Sequence, residues 1–67
     1  MAVASVTKIT AASPTSFDAA VKEGLARASK TVRGITGLHV LEEKASVNDG
    51  KIGEYRVTME VTFILEG

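Results

Sequence analysis

The longest regular pattern of hydrophobic and polar positions in the chain predicts a helix over residues 13–33. Apolar side chains recur there at intervals of three or four, which places them on one face of a helix with 3.6 residues per turn. These positions are Phe17, Val21, Leu25, Ala28 and Val32. Ser13 is the predicted N-cap, Pro14 follows where a missing N–H costs nothing, and Gly34 lies just after the last turn.

Two further segments, residues 2–10 and 38–47, have sequences typical of β-strands. Residues 2–10 are rich in β-branched side chains, which favour strands. Residues 38–47 carry apolar side chains on both faces if the strand alternates strictly. Alternation puts Leu38 and Val40 on the face of Lys44, and puts His39 with Leu41 on the other. We therefore expect both faces of this strand to be covered.

Residues 53–66 have the clearest alternation in the chain, with one apolar and one polar face. The apolar positions are Tyr55, Val57, Met59, Val61, Phe63 and Leu65. Asn48, Asp49 and Gly50 tolerate positive φ and predict a hairpin before this strand. The predicted fold class is α+β, with β-α-β-β order and a three-stranded antiparallel sheet packed on one helix. Its edges and outer face are exposed unless neighbouring chains cover them.

Composition limits how so short a chain can be stable and what it can bind. The 67 residues form one predicted domain, residues 1–67, and a chain of this size buries only about 60 % of its unfolded surface. No cysteine and a single histidine argue against disulfides and a zinc site, which leaves self-association as the route to stability. Eight basic residues balance eight acidic ones, so we expect no nucleic-acid partner.

Membrane partners and catalysis are not expected either. The apolar runs are far shorter than the ~20 residues of a membrane span, and the N-terminus lacks a signal-peptide pattern, so we expect a cytoplasmic protein. No nucleophile or acid–base pair accompanies His39, which we interpret as a subunit contact, so no catalytic residue is predicted. Glu42 and Glu43 could bind a divalent cation together with Asp49 or Glu54.

The chain resembles the dodecins over nearly its whole length. The similarity is carried by SPTSFDAAVKEGLARASKTVRGI, the strand LHVLEEKASV, the N-D-G turn and the closing EYRVTMEVTFILEG. This resemblance implies a non-enzymatic flavoprotein that stores riboflavin or FMN. It also implies β-α-β-β subunits whose sheet wraps around the helix and which assemble into a hollow homododecamer.

The resemblance implies a cofactor site at Gly37, Arg56 and Lys44. Dodecins typically stack a tryptophan on the flavin at the position of Gly37 and hydrogen-bond the ring with a glutamine at the position of Arg56. Lys44 lies where some members place a basic residue near the FMN phosphate. Loss of an indole would remove ~1–3 kcal/mol of stacking per contact. Arg56 can stack and donates bidentately to phosphate, so an anionic ligand would suit it.

Each of these residues has a competing structural interpretation. Gly37 could be a helix-to-strand turn residue that needs an unusual φ. Arg56 could pair with Glu54, Glu60 or a carboxylate of the second strand. The alternative function is a dodecin-fold assembly that has lost flavin binding and acts as a structural or calcium-binding oligomer, in which carboxylates such as Glu43 hold the ion.

Overall fold

The computed structural model describes residues 3–65 and has the predicted β-α-β-β order. The elements are β1 (Val3–Ser13), α1 (Phe17–Thr31), β2 (Ile35–Asn48) and β3 (Lys51–Leu65). The strands form one antiparallel sheet in the order β1-β3-β2, with β3 in the centre. The predicted fold class is therefore confirmed. The predicted strand ends at Ala2 and Glu66 lie outside the described residues.

The helix begins later than the sequence predicted. Its N-cap is Ser16, whose backbone is extended and whose Oγ accepts a hydrogen bond from the Ala19 N–H at 2.9 Å. Ser13 instead ends β1 opposite Tyr55, and its Oγ accepts from the Thr15 N–H at 3.0 Å. The predicted cap was wrong because strand pairing with β3 continues through this serine and leaves only two residues for the connection.

The buried face of the helix is centred on small residues. Ala20 and Gly24 are its buried positions, whereas Leu25, a predicted core position, is only half-buried. At Gly24 the helix approaches the sheet so closely that an added Cβ would lie 3.0 Å from the Ala11 Cβ and against the end of the Met59 side chain. The predicted positions Phe17 and Val21 do pack against the core, but the periodicity of large apolar residues missed the centre of the contact face, because a glycine carries no apolar side chain to reveal it.

The core lies between α1 and the middle of the sheet, as the alternation in the last strand predicted. Val57, Met59 and Val61 of β3 are fully buried. The partly buried side chains that pack beside this cluster are Ile9, Ala11, Phe17, Val21 and Val40. Phe17 also meets Tyr55 edge to face, with ring centroids 5.0 Å apart, at the N-terminal end of the helix.

A β-bulge changes which side chains share a face of β2. Pairing with β3 includes Val40 and resumes at Glu42, so Leu41 is an extra residue. Alternation reverses beyond this point, and His39 and Lys44 lie on the same face of the sheet, the one away from the helix. The predicted faces of this strand were wrong because strict alternation assumes that no residue is inserted.

The hairpin of β2 and β3 extends well beyond the helix, which packs on β1 and β3. We call residues 44–54 the hairpin arm; each of them is exposed except Glu54, which is half-exposed. Val47 and Ile52 are 62 % and 51 % exposed. Residues 3–65 therefore do not bury both faces of β2. That neighbouring chains cover this strand stays a prediction.

The connections have the backbone conformations that their sequence predicted. Asp49 and Gly50 have φ of 51° and 76° between β2 and β3, which confirms the hairpin turn. α1 has 15 residues, and among residues 3–65 no helix is both long and apolar enough to cross a membrane.

Candidate functional site

The three candidate cofactor residues all lie on the face of the sheet opposite the helix, which we call the outer face. Its residues are those whose positions on β3 alternate with the buried core positions, together with their partners on the edge strands. They are Ala4, Val6, Lys8, Thr10 and Ala12 of β1, Gly37, His39, Glu42, Lys44 and Ser46 of β2, and Glu54, Arg56, Thr58, Glu60, Thr62 and Ile64 of β3. The face is predominantly polar.

Lys44 and Arg56 are direct cross-strand partners on this face. Like charges directly opposite each other destabilise a sheet, so the arrangement needs compensation. Arg56 Nε–H donates to Glu54 Oε1 at 2.6 Å, and Lys44 Nζ lies 3.4 Å from Glu42 Oε1. Among residues 3–65, the side-chain hydrogen bond of the guanidinium is the one from its Nε to Glu54. The alternative interpretation of Arg56, a pair with Glu54, is thus confirmed, and it is compatible with ligand contact.

Gly37 lies inside β2, opposite Thr62, and does not form the turn. Its φ is not positive, and a Cβ built on it meets nothing within 4 Å. The helix-to-strand turn is made by Gly34, whose φ is 75° and whose carbonyl accepts a hydrogen bond from the Ile64 N–H at 2.9 Å. The turn interpretation of Gly37 is therefore wrong, and this glycine leaves an open place on the outer face.

One chain does not bring Gly37 to the basic pair. Its partner on β3, Thr62, lies six positions from Arg56 on the same strand, which corresponds to about 20 Å at ~3.3 Å per residue. Lys44 and Arg56 are together at one end of the outer face, and Gly37 is at the other. A ligand that touches all three must therefore lie between residues of different chains.

His39 is the outer-face neighbour of Gly37, two residues further along β2. Its Nδ1 lies 3.9 Å from Glu60 Oε1, and its side chain is 75 % exposed. Lys8 of β1 lies opposite Glu60 on the other side, so a basic, an acidic and an imidazole group form one row across the sheet. Sequence reasoning missed this row, although the spacing of His39 from Gly37 could have revealed that both share a face.

The acidic residues considered for a divalent cation do not converge in one chain. Glu42 pairs with Thr58 on the outer face, and Glu43 pairs with buried Val57, so consecutive carboxylates point to opposite faces. In the part of the chain that the structure describes, no three His, Asp or Glu side chains are arranged to hold a metal ion.

Comparison with known proteins gives consistent results. A family model described as dodecin matches residues 3–66. The curated dodecin of Thermus thermophilus is 38 % identical over 50 residues, which is 75 % of this chain and 72 % of that protein. The solved dodecin from Streptomyces davaonensis has a TM-score of 0.93 and 36 % identity, and the match covers 98 % of this chain and 97 % of that one.

The description of a second solved structure names a ligand. It is a calcium-chelating immunodominant antigen, calcium dodecin, from Mycobacterium tuberculosis, described as having a novel calcium-binding site. It is 37 % identical, with a TM-score of 0.81, and the match covers 96 % of this chain and 91 % of that one. A structure with this fold is thus described as binding calcium.

Proposed function

The chain belongs to the dodecin family of small flavin-binding proteins, and from this premise we propose that it is a non-enzymatic storage protein for a phosphorylated flavin such as FMN. The ligand would lie on the outer face at contacts between subunits, with Lys44 and Arg56 on its phosphate and Gly37 beneath its ring. The whole chain, residues 1–67, would act as one domain.

The basic pair is the observation that carries this proposal. Lys44 and Arg56 stay opposite each other although like charges in that position are unfavourable. A phosphate group bears ~1.5–2 negative charges at neutral pH, and it would add a second anionic partner to each of these cations, which already contact Glu42 and Glu54. Charge-assisted hydrogen bonds from a guanidinium to phosphate are among the stronger polar contacts. These features favour FMN over riboflavin, which has no phosphate.

The proposal includes assembly into a hollow homododecamer. The strand edges and apolar side chains that one subunit leaves exposed support it. The edge strands β1 and β2 each have a free edge, and the hairpin arm exposes Val47 and Ile52. The separation of Gly37 from Arg56 likewise requires residues from at least two chains at one ligand. Self-association would therefore bury apolar surface and complete the site together.

Equilibrium dialysis of FMN and riboflavin against the purified protein tests the storage function. We expect FMN to bind at least tenfold more tightly than riboflavin, because only FMN can use the basic pair. Gly37→Trp is the positive control: a Cβ there meets nothing within 4 Å, and the indole adds a stacking surface that should strengthen the binding of both flavins. If only this variant retains flavin, the storage function is wrong for this chain.

Calcium binding is a second candidate function, favoured by the description of the Mycobacterium tuberculosis relative. Because Glu42 and Glu43 point to opposite faces in one chain, such a site would combine carboxylates from neighbouring subunits. Thermal unfolding of the assembly with calcium, with magnesium and with chelator tests this. Calcium-specific stabilisation that Glu43→Gln abolishes would support it, and equal stability in all three conditions would exclude it.

A further inference from the structure

We propose that His39 supplies the aromatic surface against which the ligand's ring stacks, in place of the tryptophan that this chain lacks. The inference rests on the proposed storage function. It assigns His39 to the flavin ring, whereas Lys44 and Arg56 bind the phosphate. It follows from where the few ring-bearing side chains of this protein lie.

Ring-bearing side chains are scarce here, and all but one lie on the helix side of the sheet. The sequence has two phenylalanines, one tyrosine, one histidine and no tryptophan. Phe17 and Tyr55 pack on each other beneath the helix N-terminus. Phe63 occupies a β3 position in phase with buried Val61 and so also lies on that side. The imidazole of His39 is thus the ring that the outer face can offer to a planar ligand.

The position of His39 beside Gly37 suits this role. Residues i and i+2 of a strand share a face and lie about 6.6 Å apart, and strand side chains stand roughly perpendicular to the sheet. Preferred separations between aromatic ring centroids are about 4.5–7 Å. A flat ring seated over the backbone of Gly37, where an added Cβ meets nothing within 4 Å, would therefore meet the exposed imidazole at stacking distance.

The neighbours of His39 in the sheet are charged and leave most of its side chain exposed. Glu60 lies opposite His39 with its Oε1 3.9 Å from Nδ1, and Lys8 lies beyond Glu60 in the same row. The other charged neighbour is Glu42, the next outer-face residue of β2 after the bulge. Glu60 thus lies near one edge of the imidazole, and 75 % of the His39 side chain is accessible to a ligand.

Binding of FMN and riboflavin to His39 variants, measured by equilibrium dialysis, tests the inference. We expect His39→Ala to weaken both flavins by about fivefold or more, since it removes a ring contact that both share. His39→Phe keeps a ring at this position and should bind within about twofold of the unchanged protein. Lys8→Ala is the matched control, because it alters the same charged row without removing a ring, and it should also stay within about twofold.

A double variant separates stacking from other roles. In a Gly37→Trp background the indole replaces the imidazole of His39 as the stacking partner of the flavin. Adding His39→Ala to that background should therefore change flavin affinity by less than twofold. Sedimentation of every variant checks that assembly is intact. Unchanged binding by His39→Ala, equal losses in His39→Phe and His39→Ala, or dissociation of His39→Ala into smaller species would each overturn the inference. If the unchanged protein binds neither flavin while Gly37→Trp binds both, the storage function itself fails, and the inference fails with it.

Discussion

The helix-covered part of the sheet and the hairpin arm belong to the same strands but have opposite surroundings. Under α1, Val57, Met59 and Val61 are fully buried, and a glycine lets the helix approach the sheet closely. In the arm, residues 44–54, the same β3 strand carries Ile52 with half of its surface exposed. Apolar side chains of β3 occur in both regions, but they are buried only where the helix covers the sheet.

The difference lies in what covers each region. One helix of 15 residues cannot cover strands of 14 and 15 residues, because a helix rises ~1.5 Å per residue and a strand ~3.3 Å. The subunit therefore has a hydrophobic core of its own under α1 at one end and an uncovered sheet at the other. We infer that the first stabilises the subunit and that the second provides its contacts with neighbouring subunits.

Met59→Ala should lower the free energy of unfolding more than any other change proposed here, because it leaves a cavity at the centre of the core under α1. Large-to-small changes at fully buried positions cost ~2–5 kcal/mol, and Met59 has no exposed surface. Chemical denaturation, with the midpoint and the slope both fitted, measures the loss. Ile52→Ala is the matched control on the same strand and should cost far less in the unfolding of the subunit itself. Equal losses would show that the arm is as much a core as the helix-covered region.

Charges placed on the arm should disrupt assembly and leave the subunit folded. Burying an apolar side chain of this size contributes ~1.5–3 kcal/mol, and a lysine in its place must be desolvated to enter a contact. We expect Val47→Lys combined with Ile52→Lys to shift sedimentation to smaller species, with the far-ultraviolet circular dichroism retained. Lys51→Glu, a polar change at the same hairpin, is the control. An unchanged sedimentation coefficient in the double variant would show that the arm lies outside the subunit contacts.

Arg56→Leu should lower affinity for FMN about tenfold, or ~1.4 kcal/mol, and leave riboflavin nearly unchanged. The reason is that leucine removes the charged donor opposite Lys44 and, unlike glutamine, adds no hydrogen-bonding group for the flavin ring. Equilibrium dialysis of both ligands measures the ratio of the two affinities. Thr62→Ser, at the other end of this face, is the control. Equal weakening of FMN and riboflavin would mean that Arg56 contacts the ring or supports assembly.

Much of the fold was predictable because its signals are local. The long alternation of β3 and the Asn48-Asp49-Gly50 turn predicted the central strand and the hairpin directly. The helix was predicted, but its cap and buried face were displaced, since Ser13 is held in β1 by pairing with a strand far along the chain. Such pairing is a tertiary effect that periodicity within one segment does not contain.

The candidate site was less predictable than the fold. Gly37, Lys44 and Arg56 became candidate site residues through resemblance to a family. That they share a face depends on the bulge at Leu41, which no local sequence pattern predicts. The separation of Gly37 from Arg56 depends on the register between β2 and β3. Register is set by the whole sheet, so sequence alone gave these residues without their distances.

The smallest effect we predict concerns two glycines that the sequence did not distinguish. Gly34 has φ of 75°, and an added Cβ would lie 3.2 Å from the Ile64 carbonyl oxygen, so Gly34→Ala should cost ~1 kcal/mol or slightly more. Gly37 has ordinary strand geometry and open space, so Gly37→Ala should be neutral or stabilise slightly through a less flexible unfolded chain. Thermal unfolding of the two variants under identical conditions compares them. If Gly37→Ala is the more costly change, its glycine is required for contact with a neighbouring chain, because no atom of residues 3–65 lies within 4 Å of the added Cβ.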